Sequence, residues 1–342
     1  MRHSSFVTRH SSLVIRHSSF VMTSHLPEDV SKFLSAWLGT GWTVSPLRGD
    51  ASVRAYFRIS ASDARYMLAY YPEEVRNQLQ RFLGAYDAIS SCTSIPAIFH
   101  HCELAVLQAD VGDETLFDVL HRDRDRGLQL YRDAIDLLVK FQSAPQSARV
   151  LNPPFDAATF EGELAMTLEY YVQGLMRRPV DAPLISATKT LSDNLCHHHY
   201  VLCHRDYHGQ NIHIVNNDLF MIDYQDLRMG PDSYDMASLL RDRGVGEIIG
   251  RESELELLDY YRERSGVAVG FESRYFEALL QRSLKILGTF ARQAITRGRE
   301  HYLDFIPSTL RTIERCFEEL PQYGDLLESF PLNFDRTING DR

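Results

Sequence analysis

The sequence has no apolar run near the roughly 20 residues that a membrane-spanning helix needs, and it contains few cysteines. There are five, an odd and widely scattered set: Cys92, Cys102, Cys196, Cys203 and Cys316. Such a set does not indicate a disulfide framework. We therefore expect a protein of the reduced cytoplasm with no membrane partner.

Positive charge is also scarce. The chain has 36 lysines and arginines against 46 acidic residues, which gives a formal net charge of -10. Proteins that bind nucleic acids by neutralising phosphates need the opposite balance, so we expect no nucleic-acid partner. Only four of the cations are lysines: Lys32, Lys140, Lys189 and Lys285.

The first 22 residues repeat one seven-residue unit three times, as RHSSFVT, RHSSLVI and RHSSFVM. No acidic residue precedes Glu28, as in transit peptides. Two explanations remain open: a low-complexity tail, or translation from upstream of a start at Met22. We therefore set residues 1–27 apart as a repetitive, disordered tail. The rest of the 342-residue chain is long enough to form two lobes.

The first part after this tail has the pattern of a small sheet. Short β-like runs lie between Trp42 and Tyr71, and the turn sequence RGDAS separates the first two. A helix is predicted to begin at Pro72. Two more strand candidates follow, Ile95–His100 and Ala105–Gln108. The pattern predicts an N-lobe over residues 28–110.

The remainder, residues 111–336, is mainly helical in pattern and forms a predicted C-lobe. Apolar residues recur at helical spacing within residues 128–143 and 273–293, and a third helix is predicted over 160–176. The predicted core positions are Tyr131, Ala134, Ile135, Leu138, Phe141, Phe276, Leu279, Leu280, Leu284, Leu287 and Phe290. The sequence therefore predicts an α+β protein with two lobes.

One stretch of the C-lobe carries polar residues at the ends of short strand-like runs. His204, Asp206 and Asn211 form an H-x-D-x-x-x-x-N pattern, and Asp223 follows after a predicted hairpin. This order is typical of phosphoryl transfer from ATP, in which one aspartate orients the acceptor hydroxyl. Asparagine and aspartate oxygens suit magnesium, a hard ion. We interpret Asp206 as the catalytic residue, and Asn211 and Asp223 as magnesium ligands.

The acceptor is predicted to be a small molecule. Asp223 is followed by Tyr224 and Gln225 rather than by the glycine of a D-F-G motif, and A-P-E is absent. A helix has already begun near Asp235, with Asp232 or Ser233 as its expected cap. This leaves no room for a segment that docks a peptide.

Three segments, VLCHRDYHGQN, MIDYQD and GPDSYDMASLLRD, resemble the aminoglycoside phosphotransferase-like kinases, a branch of the protein-kinase-like fold. Within it they are most similar to the cell-wall sugar kinases that phosphorylate N-acetylmuramate and N-acetylglucosamine at the anomeric hydroxyl. The resemblance covers residues 30 to 325. It implies that ATP binds between the lobes and that Asp206 acts as the base. It also implies that Asp235 braces the catalytic loop, with His204 as a buried support.

The sequence departs from this family of folds in its N-lobe. No lysine lies between the first strand and the hinge to hold the α- and β-phosphates. Met67, Ala69 or Tyr70 stands where that lysine is expected. Arg54 and Arg58 are the alternatives, since arginine binds phosphate in a bidentate way; each could equally be a solvated strand residue.

Further nucleotide contacts are predicted from position. Gly49 and Ser52, in the RGDAS turn, would cover the phosphates, and backbone groups near Ala109 and Val111 would contact adenine. The expected cofactors are therefore ATP and magnesium.

Five charged residues of the C-lobe are candidates for the acceptor site. Glu161, Glu163, Glu169, Arg241 and Asp242 either line it or are solvated charges. An aminoglycoside would require acidic residues there, whereas a sugar acid such as N-acetylmuramate would require an arginine. Because the N-lobe lysine is missing, a non-catalytic nucleotide-binding module is a further alternative.

Overall fold

The computed structural model describes residues 26–47, 53–62 and 64–335. The three RHSS repeats lie outside the described residues, as do Gly49 and Ser52. Their predicted roles therefore stay predictions.

The first part of the chain forms a five-stranded antiparallel sheet with two helices. Its elements are α1 (Glu28–Leu38), β1 (Thr43–Leu47), β2 (Ala55–Ala61), β3 (Ala64–Tyr70), α2 (Arg76–Ile89), β4 (Ile98–His101) and β5 (Ala105–Ala109). The strand order is β1-β2-β3-β5-β4. All five predicted strands are thus confirmed, within a few residues at their ends.

The two faces of this sheet border different parts of the protein: one packs against α1, and the other faces a cleft. Since side chains alternate along a strand, Phe57 and Ile59 point to one face, where they pack under Val30 and Leu34 of α1. Tyr56 points to the opposite face, which borders a cleft. This alternation decides which residues of β2 can approach a ligand in the cleft.

The rest of the chain is mainly helical, with short strands inserted between its helices. Its elements are α3 (Leu116–Arg122), α4 (Arg124–Gln142), α5 (Gln146–Arg149), α6 (Ala157–Met166), α7 (Ala182–Cys196), β6 (Tyr200–Cys203), β7 (Ile212–Val215), β8 (Asp218–Met221), β9 (Arg228–Pro231), α8 (Tyr234–Arg241), α9 (Val245–Ser265), α10 (Phe271–Arg297), α11 (Ile306–Glu319) and α12 (Gly324–Ser329). β6 pairs with β9, and β7 with β8. Among the described residues, no helix is long and apolar enough to span a bilayer.

The predicted helices of this part are confirmed, with two local differences. The predicted core positions are buried except Phe290, which is only partly buried and lines a cavity described below. The predicted 160–176 helix is α6 followed by a π-helix over Thr167–Leu175. There the Thr167 hydroxyl donates to the Leu284 carbonyl of α10 at 2.5 Å. Gly288 allows this approach, because a Cβ at that position would lie 2.6 Å from the Thr167 nitrogen.

The expected cap of α8 is wrong. Neither candidate side chain caps the helix, although Ser233 occupies the N-cap position. Asp232 instead accepts two hydrogen bonds from the Arg274 guanidinium, and the Ser233 hydroxyl donates to the Arg274 carbonyl. Both residues are fully buried, so the charged partner on α10 competes successfully for them.

The two-lobed α+β architecture predicted from the sequence is therefore confirmed. The domain limits at residues 28–110 and 111–336 stay a prediction.

Candidate active site

The loop from β6 to β7 carries His204, Asp206 and Asn211, and a buried carboxylate holds its first turn. The Asp235 side chain accepts hydrogen bonds from two backbone N–H groups, those of His204 at 2.6 Å and Arg205 at 2.9 Å. Arg205 has a φ of 81°, in the left-handed region that a bulky residue rarely adopts. Asp235, in the first turn of α8, therefore stabilises a strained backbone next to Asp206.

His204 is almost completely buried beneath this loop. Its Nδ1 lies 3.3 Å from the Asp206 backbone N–H, which donates to it, and its Nε2 lies 2.9 Å from the Ile222 carbonyl. Because Nδ1 accepts a hydrogen bond, the proton must be on Nε2, which donates to the carbonyl. The histidine thus links the Asp206 loop to the segment that leads into Asp223.

Asp206 is exposed to solvent, although protein atoms surround much of its side chain. Burial raises the pKa of Asp206, but Arg282, Lys285 and the histidines at 204 and 208 together lower it, so the net pKa is below its ordinary value. The carboxylate is therefore ionised near neutral pH. In this state it can accept a proton or a hydrogen bond from a hydroxyl group.

Asn211 and Asp223 present oxygen atoms at the same end of the cleft. Asn211 Nδ2 donates to the Asp206 carbonyl at 2.9 Å, which leaves the amide oxygen for another partner. At Asp223, Arg54 and Gln225 both donate to Oδ1, at 3.1 and 3.0 Å. The Asp223 backbone is left-handed, with a φ of 64°. Within the described part of the chain, this leaves Asp223 Oδ2 for a metal ion.

A cavity of about 350 Å³ lies between the sheet and this loop. Both apolar and polar side chains line it. Its lining includes Leu47, Arg54, Tyr56, Met67, Ala69, Ala109, Val111, Asn211, Ile222, Asp223 and Tyr224. Five predicted nucleotide and metal positions are thus brought together around one space: Arg54, Ala109, Val111, Asn211 and Asp223.

The structure distinguishes between the two candidate arginines. Arg58 lies on β2 and Arg54 just before its first residue, and the two guanidinium groups contact different carboxylates. Arg54 contacts Asp223. Arg58 forms ion pairs with Asp110 at 2.7 Å and Asp113 at 2.8 Å, where the chain leaves the sheet. Arg58 is therefore held by Asp110 and Asp113, whereas Arg54 lies beside Asp223.

The two predicted adenine contacts, Ala109 and Val111, both line the cavity. The N–H group of Ala109 donates to the Ala97 carbonyl at 2.9 Å, so this donor is already used within the sheet. A hydrogen bond to a base must therefore involve other backbone groups of this segment.

Of the three glutamates suggested for the acceptor site, only Glu163 is near the loop. It forms ion pairs with Lys285 at 3.2 Å and with Arg205 at 3.6 Å, and it accepts a hydrogen bond from Gln281 at 2.8 Å. Glu161 and Glu169 are exposed, as expected of solvated charges.

Arg241 and Asp242 border a second cavity, of about 160 Å³. The Arg241 guanidinium is bound by Glu254, so it is not available to a ligand in this conformation. Asp242 accepts hydrogen bonds from Arg282 at 2.5 Å and from Ser238 at 2.8 Å. Hydroxyl and aromatic groups complete the lining, among them Ser283, Phe290, Phe305, Ser308 and Thr309.

Two cations that act on Asp206, Arg282 and Lys285, were not selected by the sequence analysis. Arg282 is buried and joins the two halves of the site, because it donates to the Arg205 carbonyl at 2.8 Å and also binds Asp242. The sequence could have indicated them, because they are two cations three residues apart within an apolar helical stripe. Such residues lie on one face of a helix, and buried cations require partners.

A kinase-like fold with these polar residues around its cleft defines a phosphotransferase. A family model described as the phosphotransferase enzyme family matches residues 43–275. The chain belongs to this family. The resemblance predicted from the sequence is thereby confirmed.

Several relatives share one name. N-acetylmuramate/N-acetylglucosamine kinase of Pseudomonas putida is 29% identical over 293 residues, which cover 82% of this chain and 85% of the relative. The protein with this name from Neisseria meningitidis is also 29% identical, and the match covers 82% of this chain and 88% of that protein.

Solved structures show the same fold at lower identity. An ADP-bound aminoglycoside phosphotransferase, APH(2'')-Ib, superposes with a TM-score of 0.60 at 17% identity and covers 85% of this chain and 99% of its own. A choline/ethanolamine kinase family protein from Mesorhizobium loti has a TM-score of 0.58 at 14% identity, covering 88% of this chain and 98% of its own.

Proposed function

We propose that the chain is an ATP- and magnesium-dependent kinase that phosphorylates the anomeric hydroxyl of N-acetylmuramate or N-acetylglucosamine. One observation carries the proposal: the accessible carboxylate of Asp206 lies on one loop with Asn211, which lines the cleft together with Asp223, and the cations Arg282 and Lys285 act on it. The names of the relatives support the choice of an amino sugar.

The donor would be ATP. The apolar lining of the first cavity, including Leu47, Met67 and Val111, suits an adenine ring, and Arg54 lines the same cavity beside Asp223. Arg54 has a largely buried side chain close to Tyr56 and Tyr71. We assign to Arg54 the phosphate contact that other kinases make with an N-lobe lysine.

Magnesium fits the residues at this end. The free amide oxygen of Asn211 and the second carboxylate oxygen of Asp223 are hard donors of the kind that magnesium prefers. When bound there, magnesium would neutralise charge on the phosphates of ATP.

The reaction would be an in-line transfer at Asp206. Its carboxylate accepts the proton of the sugar hydroxyl while that oxygen bonds to the terminal phosphorus, and the bond from phosphorus to the ADP oxygen breaks. Arg282 and Lys285 keep Asp206 ionised before the transfer. The products are ADP and a sugar 1-phosphate.

The proposal is tested by measuring ADP release with ATP and magnesium across N-acetylmuramate, N-acetylglucosamine, glucose and an aminoglycoside. We expect turnover on the two amino sugars only, with a product that lacks a free reducing end. Turnover on the aminoglycoside alone would overturn the acceptor. ATP binding without turnover on any acceptor would favour the non-catalytic nucleotide-binding module.

Replacing Arg54 with methionine should raise KM for ATP and lower kcat, with a combined loss of about 10–100-fold for one charge-assisted contact. Arg54→Lys should recover part of the loss. Arg65→Met is the control, because Arg65 is an exposed residue of β3. A larger loss in Arg58→Met than in Arg54→Met would move the phosphate contact to Arg58.

A further inference from the structure

Two arginines beside the catalytic loop share one aromatic ring. Arg205 follows β6. Arg228 is the first residue of β9, and it is paired with Cys203 of β6. Their guanidinium carbons lie 5.5 and 5.1 Å from the centre of the Phe155 ring. Phe155 is buried and stacks on Phe160, so the ring is a fixed support for both guanidinium groups.

Neither guanidinium has the hydrogen bonds that partly buried arginines normally form. Within the described part of the chain, neither side chain donates a hydrogen bond, and the Nε atom of each is buried without an acceptor. The one ion pair, between Arg205 and Glu163, is 3.6 Å long. Glu163 is also bound by Lys285 and Gln281 at shorter distances.

The two positive charges are close enough to oppose each other. Burial and then the neighbouring Arg205 lower the pKa of Arg228, while Asp226 and Glu163 compensate only in part. Two partly desolvated cations with unused donors cost free energy unless an anion binds between them. The arrangement therefore favours a carboxylate or phosphate ligand.

This pair is connected to the reacting centre. Arg205 precedes Asp206 in the chain, and Glu163 joins Arg205 to Lys285, one of the cations that act on Asp206. An anion held by the pair would thus belong to a molecule whose hydroxyl lies at Asp206.

We infer that Arg205 and Arg228 bind the carboxylate of an acidic acceptor, and that this pair recognises the lactyl group of N-acetylmuramate. The inference rests on the proposed function. Planar guanidinium groups match a carboxylate in a bidentate way. In N-acetylmuramate the lactyl ether is two ring carbons from the anomeric carbon, so its carboxylate stays near the reacting hydroxyl. N-acetylglucosamine lacks this group, and a cationic aminoglycoside would be repelled.

The test compares kcat/KM for N-acetylmuramate, its methyl ester and N-acetylglucosamine in the unaltered protein and in Arg228→Met. In the variant we expect the ratio of N-acetylmuramate to N-acetylglucosamine to fall about 10–100-fold, mainly through KM, as for the loss of a charge-assisted hydrogen bond. The methyl ester should be nearly insensitive to the substitution. Arg264→Met removes an exposed arginine that pairs with Asp136, and should leave the ratio unchanged.

An unchanged ratio in Arg228→Met, or an equal loss on all three sugars, would overturn the inference and leave the proposed function intact. Absence of turnover on both amino sugars in the unaltered protein would reject the proposed function, and the inference with it.

Binding is measured separately, as the shift in melting temperature that each sugar causes. The shift with N-acetylmuramate should fall in Arg228→Met, while the shift with N-acetylglucosamine stays the same. Since Arg228 donates no hydrogen bond to a described residue, the variant should fold. If it does not, Arg228→Lys retains the charge without the planar fork, and should show a smaller fall in the same ratio.

Discussion

Replacing Asp206 with asparagine is expected to lower kcat by about 10²–10⁴-fold, the range that a positioned general base contributes. Asparagine keeps the shape of the side chain but cannot take up the hydroxyl proton. Asp206 contributes few contacts to the fold through its carboxylate, which faces the open region. The melting temperature and the affinity for ATP should therefore change little, and steady-state ADP release measured beside ATP binding separates the two effects.

The control for this experiment is Asp87→Asn, which neutralises an exposed aspartate on α2. It should leave kcat within about twofold, in line with most surface substitutions. Full activity of Asp206→Asn would remove Asp206 from the reaction. A loss of ATP binding in the same variant would instead assign Asp206 to the nucleotide site.

The central motif could be predicted because its parts are local. His204, Asp206 and Asn211 lie on one loop, and Asp223 follows after the β7–β8 hairpin, so sequence spacing alone brings them to one end of a cleft. The strands of the sheet were also predicted correctly, since alternation of apolar residues depends on near neighbours.

The charged partners of the motif could not be predicted, because they come from distant segments. Arg282 reaches the Arg205 carbonyl across 77 residues, and only the packing of α10 against the loop brings them together. Arg54 and Arg58 have the same strand periodicity, so only the positions of Asp110 and Asp223 distinguish them. Arg241 was either an acceptor-site residue or a solvated charge by its sequence, and its partner, a glutamate on α9, lies 13 residues further along the chain.

That glutamate, Glu254, is the position where a single substitution should cost the most stability. Its carboxylate is fully buried and binds Arg241 through two nitrogens, Arg315 at 2.6 Å and the Tyr275 hydroxyl at 2.6 Å. Burial lowers the pKa of Arg241, but its bond to Glu254 and the nearby Tyr275 raise it overall, so Arg241 stays charged. Removing the carboxylate would leave two largely buried guanidinium groups without their anion.

We therefore expect Glu254→Ala to lower the free energy of unfolding by about 3–5 kcal/mol, as when one partner of a buried ion pair is removed. Urea unfolding measures this free energy. The matched control is Glu252→Ala, at an exposed position on the same helix. Because the cost arises from unpaired charge rather than from lost ion pairs, replacing Glu254 with leucine and both arginines with methionine should recover much of the stability. A triple variant no more stable than Glu254→Ala would show that the cluster stabilises the fold in its own right.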